Sequence, residues 1–264
     1  MNKLQSFKKM HDSDDLLLLP NAWDLLSALV LAQSGFKAIA TTSWGVANAL
    51  GYSDGEKIEF KQLFTLINKM NSLIDIPVSV DIESGYSDDI KVIADNVLKL
   101  ADIGTVGINI EDSSKDNTTL ISTTKHCKIL ERIRSELDSH GYSDFFINAR
   151  TDTYFLLDNP LSETINRSKA YIESGANGIF VPGLSNDEEI SNLIGTVSAP
   201  INVMSLPHLT DLKHLEKLGV KRFSTGPALS NAVISFIESE SKLLLNQQNT
   251  EGLYKGGDIE TIFK

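Results

Sequence analysis

The sequence holds one cysteine, Cys127, so no internal disulfide can form. Basic residues are outnumbered, 24 Lys and Arg against 35 Asp and Glu, for a formal charge of −11. Nucleic acid and anionic membrane surfaces both call for a basic face, so neither is expected as a partner. An anionic small molecule stays open, provided the site carries its own cation, a metal ion or an arginine. The apolar run 16–19 is far below the roughly 20 residues of a membrane span. The first eleven residues are polar and lysine-containing with no apolar signal core behind them, which reads as a cytoplasmic protein. No Pro/Gly/Ser-rich linker or low-complexity tract divides the chain, so one domain over 1–264 is expected.

What is present is a repeated pattern. Short apolar runs at 16–20, 38–42, 78–83, 106–112, 145–152, 178–182, 201–205 and 222–226 alternate with longer stretches. Several runs are rich in β-branched residues, as buried parallel strands are. The stretches 58–74, 89–101, 125–137, 162–174 and 209–218 are amphipathic, and glycines such as Gly35, Gly104, Gly175 and Gly219 stand where helices would stop. Alternating strand and helix predicts parallel strands joined by crossover helices. Eight repeats in 264 residues match the about 250 of a (β/α)8 TIM barrel. The competing open, doubly wound sheet would normally carry a glycine-rich turn after its first strand. Here that run leads into Leu19-Pro20-Asn21-Ala22-Trp23-Asp24, with no GxGxxG. The barrel is expected over about 14–245, with a long last helix over 228–246 and a polar tail at 246–264 that includes Gly256-Gly257.

Barrel enzymes place catalysis at the C-terminal ends of the strands. The third run ends Asp81-Ile82-Glu83, the fourth Asn109-Ile110-Glu111-Asp112 and the fifth Asn148-Ala149-Arg150-Thr151-Asp152. Alternation puts Asp81 and Glu83 on one side of their strand, and Glu111 approaches from the next. Three carboxylates so close repel one another, and a hard divalent cation removes the conflict. Mg²⁺, with Mn²⁺ able to substitute, fits this oxygen-only set, and no histidine accompanies it to favour zinc. The bland reading makes such acids helix caps, and Asp88 and Asp152 could be only that. Arg150 has two readings, an ion pair with Glu111 or Asp152, or a clamp on a substrate carboxylate.

The segments 20–24, 50–54, 81–86, 109–112, 148–152, 201–204 and 224–229 resemble, in order and spacing, the isocitrate lyase/phosphoenolpyruvate mutase superfamily. The resemblance runs from about residue 16 to about 235 and implies a Mg²⁺-bound 2-oxo acid at the barrel mouth. It implies that Asp81 binds the metal directly, that Glu83 and Glu111 hold its waters, and that Asp54 joins the acidic shell. It implies that backbone amides around Thr42, Ser43 and Trp44 grip the substrate together with Arg150, with Asn148 alongside. It also implies a homo-oligomer, a dimer or tetramer in which the C-terminal helix is exchanged between subunits.

Two departures stand out. Glu83 takes the place of the usual second aspartate. The loop 113–124 has neither cysteine nor histidine, whereas the isocitrate and methylisocitrate lyases carry a catalytic cysteine there. Cys127 falls in the following helix and reads as a packing residue. The phosphonomutase loop pattern is absent too, although Lys115 and Asn117 are present. The short loop predicts a lid smaller or more mobile than in the lyases. The expected activity is Mg²⁺-dependent cleavage or formation of a C–C bond in a 2-oxo or 2-hydroxy acid through an enolate, lyase or decarboxylase in kind. The alternatives are C–P chemistry and a non-catalytic metabolite-binding barrel. His208, beyond the seventh run, reads as a surface residue ahead of a general acid or base.

Overall fold

In the computed structural model, residues 2–254 are described. Nine strands form one parallel sheet: β1 (Leu17–Leu19), β2 (Asn21–Ala22), β3 (Ile39–Thr41), β4 (Val78–Asp81), β5 (Gly107–Glu111), β6 (Phe146–Arg150), β7 (Gly178–Phe180), β8 (Ile201–Met204) and β9 (Arg222–Ser224). Strand order is β1-β9-β8-β7-β6-β5-β4-β3-β2. The two end strands are neighbours in the chain, split by Pro20, which has no N–H to give a ladder. Chain continuity through Pro20 therefore closes the ring, and the eight expected strands become nine. Asn21 fastens the rim of this closure. Its Nδ2 donates to Thr41 O at 2.7 Å, and its Oδ1 accepts from Gly226 N at 2.8 Å.

Eleven α-helices are found among the described residues: α1 (Lys3–His11), α2 (Leu25–Gln33), α3 (Ser43–Ala49), α4 (Phe60–Leu73), α5 (Ile90–Asp102), α6 (Thr123–Ser139), α7 (Thr153–Leu156), α8 (Leu161–Glu173), α9 (Asp187–Thr196), α10 (Leu212–Leu218) and α11 (Ala228–Gln247). Asp89 caps α5 through Lys91 N, Ser122 caps α6 through Lys125 N, and Asp211 caps α10 through His214 N. The stretch expected as helix from 209 starts three residues later for that reason. Gly219 ends α10 in the left-handed region, φ 95°, where a side chain would be strained. Residues 255–264 of the expected tail, Gly256-Gly257 included, lie outside the described residues.

Alternate strand residues face opposite ways. Val80, Ile108, Ile110, Ile147, Ile179 and Val203 point outward into the main core beneath the helices. The barrel interior is layered differently. At its N-terminal end Phe7 of α1 packs with Leu17, Leu19, Ala38, Ala40, Val106 and Phe146 in a second apolar cluster. Gly107 admits this plug, since a Cβ there would stand 2.6 Å from Phe146 O and 3.3 Å from the Phe7 ring. His11 stacks on Phe146, ring centroids 3.8 Å apart. Burial and then Arg222 lower its pKa to about 3, so it is neutral. Above this plug the interior turns polar, with Asn109, Asn148, Asn202, Arg222 and Ser224 all buried. The carboxylates and Arg150 form the top layer.

Candidate active site at the barrel mouth

A cavity of about 190 Å³ opens at the C-terminal ends of the strands. Asp54, Asp81, Asn109 and Arg150 border it with Asn21, Thr42, Ser43 and Trp44, while Phe155, Phe180, Pro182 and Met204 add apolar wall. Asp81 ends β4 on the cavity side. Its carboxylate accepts from Ser43 N and from Glu83 N, each at 3.3 Å, long contacts that leave both oxygens able to take a further ligand. Asp54 comes from the loop before α4, and its Oδ1 is buried without a partner among the described residues. Burial and then the charge of Asp81 raise the Asp54 pKa.

Glu83 is tied to the loop beside the cavity. Its Oε2 accepts the amides of Gly55 at 2.9 Å and Glu56 at 2.6 Å, and its Oε1 accepts the Tyr86 hydroxyl at 3.1 Å. Strand β4 has ended by then, and Glu83 is left-handed at φ 50°. That turn breaks the alternation that would have set it beside Asp81. Glu83 thus pins the loop bearing Asp54. Burial and then Asp54 and Asp81 raise its pKa to about 7.

Glu111 and Arg150 form an ion pair, Oε2 to Nη1 at 2.9 Å, with Ser113 Oγ donating to the other Glu111 oxygen at 2.9 Å. Arg150 also grips Asp152 twice, Nε to Oδ1 at 2.6 Å and Nη2 to Oδ2 at 3.1 Å. Both ion pairs of the structural reading are therefore made. The fork is not exhausted, because each Nη carries two hydrogens and uses one. Burial pushes the Glu111 pKa up against the pull of Arg150. Arg150 itself is held charged by Glu111 and Asp152, which outweigh its burial.

Among the described residues no three His, Cys, Asp or Glu side chains stand close enough to enclose one ion. The cluster still fits a hard cation of the Mg²⁺ kind, which takes one or two carboxylates and keeps several waters. Asp81 would be the direct ligand, with Asp54, whose buried Oδ1 lacks a partner, next to it.

The other expected residues lie at different depths around this cavity. Glu83 and Glu111 stand behind the cavity wall rather than in it, near enough to Asp81 for its charge to help raise both their pKa values. Asn148 lies one layer lower, donating to Asn109 Oδ1 at 2.9 Å and Asn202 Oδ1 at 3.1 Å. The Thr42 amide is used by Ala22 O at 3.1 Å, so Thr42 offers its side chain and not its N–H. The loop after Glu111 is a small hairpin, bridged Ser113 to Leu120, with Lys115 Nζ 3.4 Å from both Glu56 and Asp88. Cys127 lies on α6 against the main core, and His208 sits exposed with Nε2 2.9 Å from Ser185 Oγ.

Other residues went unread. Asp112 is fully buried and accepts from Thr151 Oγ1, Asp152 N, Arg167 Nη1 and Tyr171 OH at 2.7 to 3.0 Å. It thereby fixes Asp152, which fixes Arg150. Asn109 reaches the cavity floor. Counting back by two from Glu111 would have found it, since that period selects the inward face.

A sequence profile of the Phosphoenolpyruvate phosphomutase family matches residues 7–245. An uncharacterised protein of Mycobacterium tuberculosis (strain ATCC 25618 / H37Rv) is 38% identical over 224 residues, 84% of this chain and 81% of that protein. Oxaloacetate decarboxylase 1 of Pseudomonas fluorescens (strain Pf0-1) is 26% identical over 226 residues, 82% of this chain and 76% of the enzyme. The crystal structure of a candidate phosphonomutase from Burkholderia cenocepacia J2315 superposes with a TM-score of 0.87 at 34% identity, over 91% of this chain and 99% of that one. With a family match across nearly its whole length, the chain belongs to the phosphoenolpyruvate phosphomutase family, and it is an enzyme of the superfamily of lyases and phosphonomutases that this family shares with isocitrate lyase.

Proposed function

We propose that this enzyme cleaves a C–C bond in a compact 2-oxo acid through an enolate, with Mg²⁺ at Asp81, and that decarboxylation of an oxaloacetate-type acid is the reaction. The observation that carries this is one small cavity bordered by Asp54, Asp81 and Arg150. At about 190 Å³ it is smaller than the roughly 300–1,000 Å³ of drug-sized sites, which favours a compact acid. A bound Mg²⁺ would supply Lewis acidity at the 2-oxo oxygen, where negative charge develops. The free N–H of each Arg150 Nη offers a fork for the substrate carboxylate while Glu111 and Asp152 hold the guanidinium still. Phe155, Phe180, Pro182 and Met204 face the departing group with apolar surface, where uncharged CO₂ is better accommodated than the carboxylate it comes from. Losing CO₂ needs no proton, which suits a 113–124 loop with neither cysteine nor histidine. Water then protonates the enolate carbon to give the 2-oxo product.

The identity to the candidate phosphonomutase favours phosphonopyruvate as the competing substrate. A panel of 2-oxo and 2-hydroxy acids with Mg²⁺, scored for pyruvate release above the metal-only blank, decides between them. Turnover of oxaloacetate is expected; turnover of phosphonopyruvate alone replaces the reading, and no turnover leaves a binding barrel.

We further propose that the enzyme works in the cytoplasm as a homo-oligomer whose α11 is covered by a second copy. Only Ser230 of the 20 residues of α11 is buried. Val233, Ile234 and Ile237 are 43 to 57% exposed and continue an apolar groove with Leu26 and Val30 of α2. Contiguous apolar surface of this kind marks an interaction face. Among the described residues no helix is long and apolar enough to cross a membrane.

A further inference from the structure

The middle of the barrel holds a cation with no anion bonded to it. Arg222 is 1% exposed, its Nη2 donates to Asn109 Oδ1 at 3.0 Å, and its Nε and Nη1 have no partner among the described residues. The Phe7 ring lies below it, 6.0 Å from the guanidinium carbon. Asp81 is the carboxylate whose charge reaches the guanidinium, but no ion pair is made, and a buried charge without a bonded counter-ion is unfavourable. The position calls for a role.

Hydrogen-bond direction supplies one. A guanidinium only donates, so the Asn109 atom that meets Arg222 must be its oxygen. Asn148 Nδ2 donates to the same oxygen at 2.9 Å, and its own orientation is fixed by the second bond to Asn202 Oδ1. With Oδ1 taken by two donors, the amide nitrogen is the group left for the cavity that Asn109 borders. A reversed amide would set N–H against guanidinium N–H. In register, Asp81 of β4 pairs with Asn109 of β5, and Asn109 with Asn148 of β6. The Asn109 donor therefore stands on the floor between Asp81 and the strand that carries Arg150.

We propose that Asn109 Nδ2 donates a hydrogen bond to a carboxylate or oxo oxygen of the bound 2-oxo acid, and that Arg222 is the positioning residue that fixes which end of that amide meets the ligand. This rests on the 2-oxo acid reading and adds a specificity element. An acceptor oxygen is welcomed above Asn109, and an ammonium group, as in a 2-amino acid, is turned away.

The test is calorimetry with Mg²⁺ and oxalate, joined to thermal melting. Wild-type protein that binds no oxalate ends the 2-oxo acid reading and this inference together. Given wild-type binding, Asn109→Asp separates the two. The aspartate still accepts from Arg222 and gives it a counter-ion, so the melting temperature holds or rises. Its second oxygen now faces the anion, and oxalate affinity falls about 10- to 100-fold. Arg222→Met removes a buried charge that makes no ion pair, so it melts no lower, yet it takes away one of the two donors that hold Asn109 Oδ1 and leaves Asn148 Nδ2 to hold it alone, so the amide turns more readily and oxalate binding weakens. In an Asn109→Ala background the Arg222→Met change has no further effect on binding. Oxalate affinity within twofold of wild type in Asn109→Asp, or an Arg222→Met effect equal in both backgrounds, overturns the proposal while leaving the 2-oxo acid reading in place. Should Arg222→Met fail to fold, Asn109→Asp alone decides.

Discussion

Glu83 gives the sharpest link between the acidic cluster and stability. Burial, with the charges of Asp54 and Asp81, lifts its pKa from 4.5 to about 7, against the pull of the Glu56 amide and the Tyr86 hydroxyl. The folded state thus holds this proton more tightly than the unfolded chain does. A raised folded-state pKa gives stability that is complete below about 4.5 and lost as pH climbs through about 7. At about 1.4 kcal/mol per pKa unit, about 3–3.5 kcal/mol is lost by pH 8. Glu83→Gln keeps the shape and a carbonyl oxygen for the Gly55 and Glu56 amides, and it never ionises. Melting curves in EDTA from pH 5 to pH 8 are therefore expected to show a small difference between variant and wild type at the acid end. At pH 8 the variant should melt higher by about 6–14 °C, at about 2–4 °C per kcal/mol for a chain of this size. Saturating Mg²⁺ adds positive charge beside Asp81 and Asp54 and should shrink that gap. A gap independent of pH, or one that closes as pH rises in EDTA, refutes the reasoning.

Asp112→Ala strips a buried acceptor from Arg167 and Tyr171 and should destabilise the fold by about 3–5 kcal/mol in denaturant titration; a loss below about 1 kcal/mol would mean the network carries little. Cys127→Ser should leave pyruvate release within twofold of wild type, and a tenfold loss would give that thiol a role its place on α6 does not explain. Ile237→Asp should shift the sedimentation profile to a smaller species, and an unchanged profile would remove the assembly reading.

The eightfold alternation of apolar run and helix was legible because the outward face of each strand is apolar and β-branched where it packs beneath the helices. The split at Pro20 was not, since only the paired structure shows where a missing N–H interrupts a strand. Helix α1 escaped notice because Phe7 and His11 are its only buried residues, too few to set a period. Helices α3 and α7, with seven and four residues, are too short to show one. The charges that end the runs were plain in the sequence; their roles were less so. Asp81, Asp54 and Arg150 do meet at one cavity. Glu83 was placed by alternation, and a left-handed residue defeats alternation. Asn148 came with the family resemblance as a substrate residue, whereas in the barrel it lies two residues before Arg150 on β6, bonded to Asn109 and Asn202 a layer below. Arg222 was invisible because a single arginine inside an apolar run gives no hint of whether an anion awaits it.

The central claim is a shared site in which a divalent cation at Asp81 and the guanidinium of Arg150 hold one small acid. Calorimetric titration of oxalate into wild type, Asp81→Asn and Arg150→Met, each with Mg²⁺ and with EDTA, tests it most directly. Binding to the wild type only when Mg²⁺ is present, lost in both variants, is predicted. Oxalate that binds equally well in EDTA, or that binds Asp81→Asn as tightly as wild type, would contradict it.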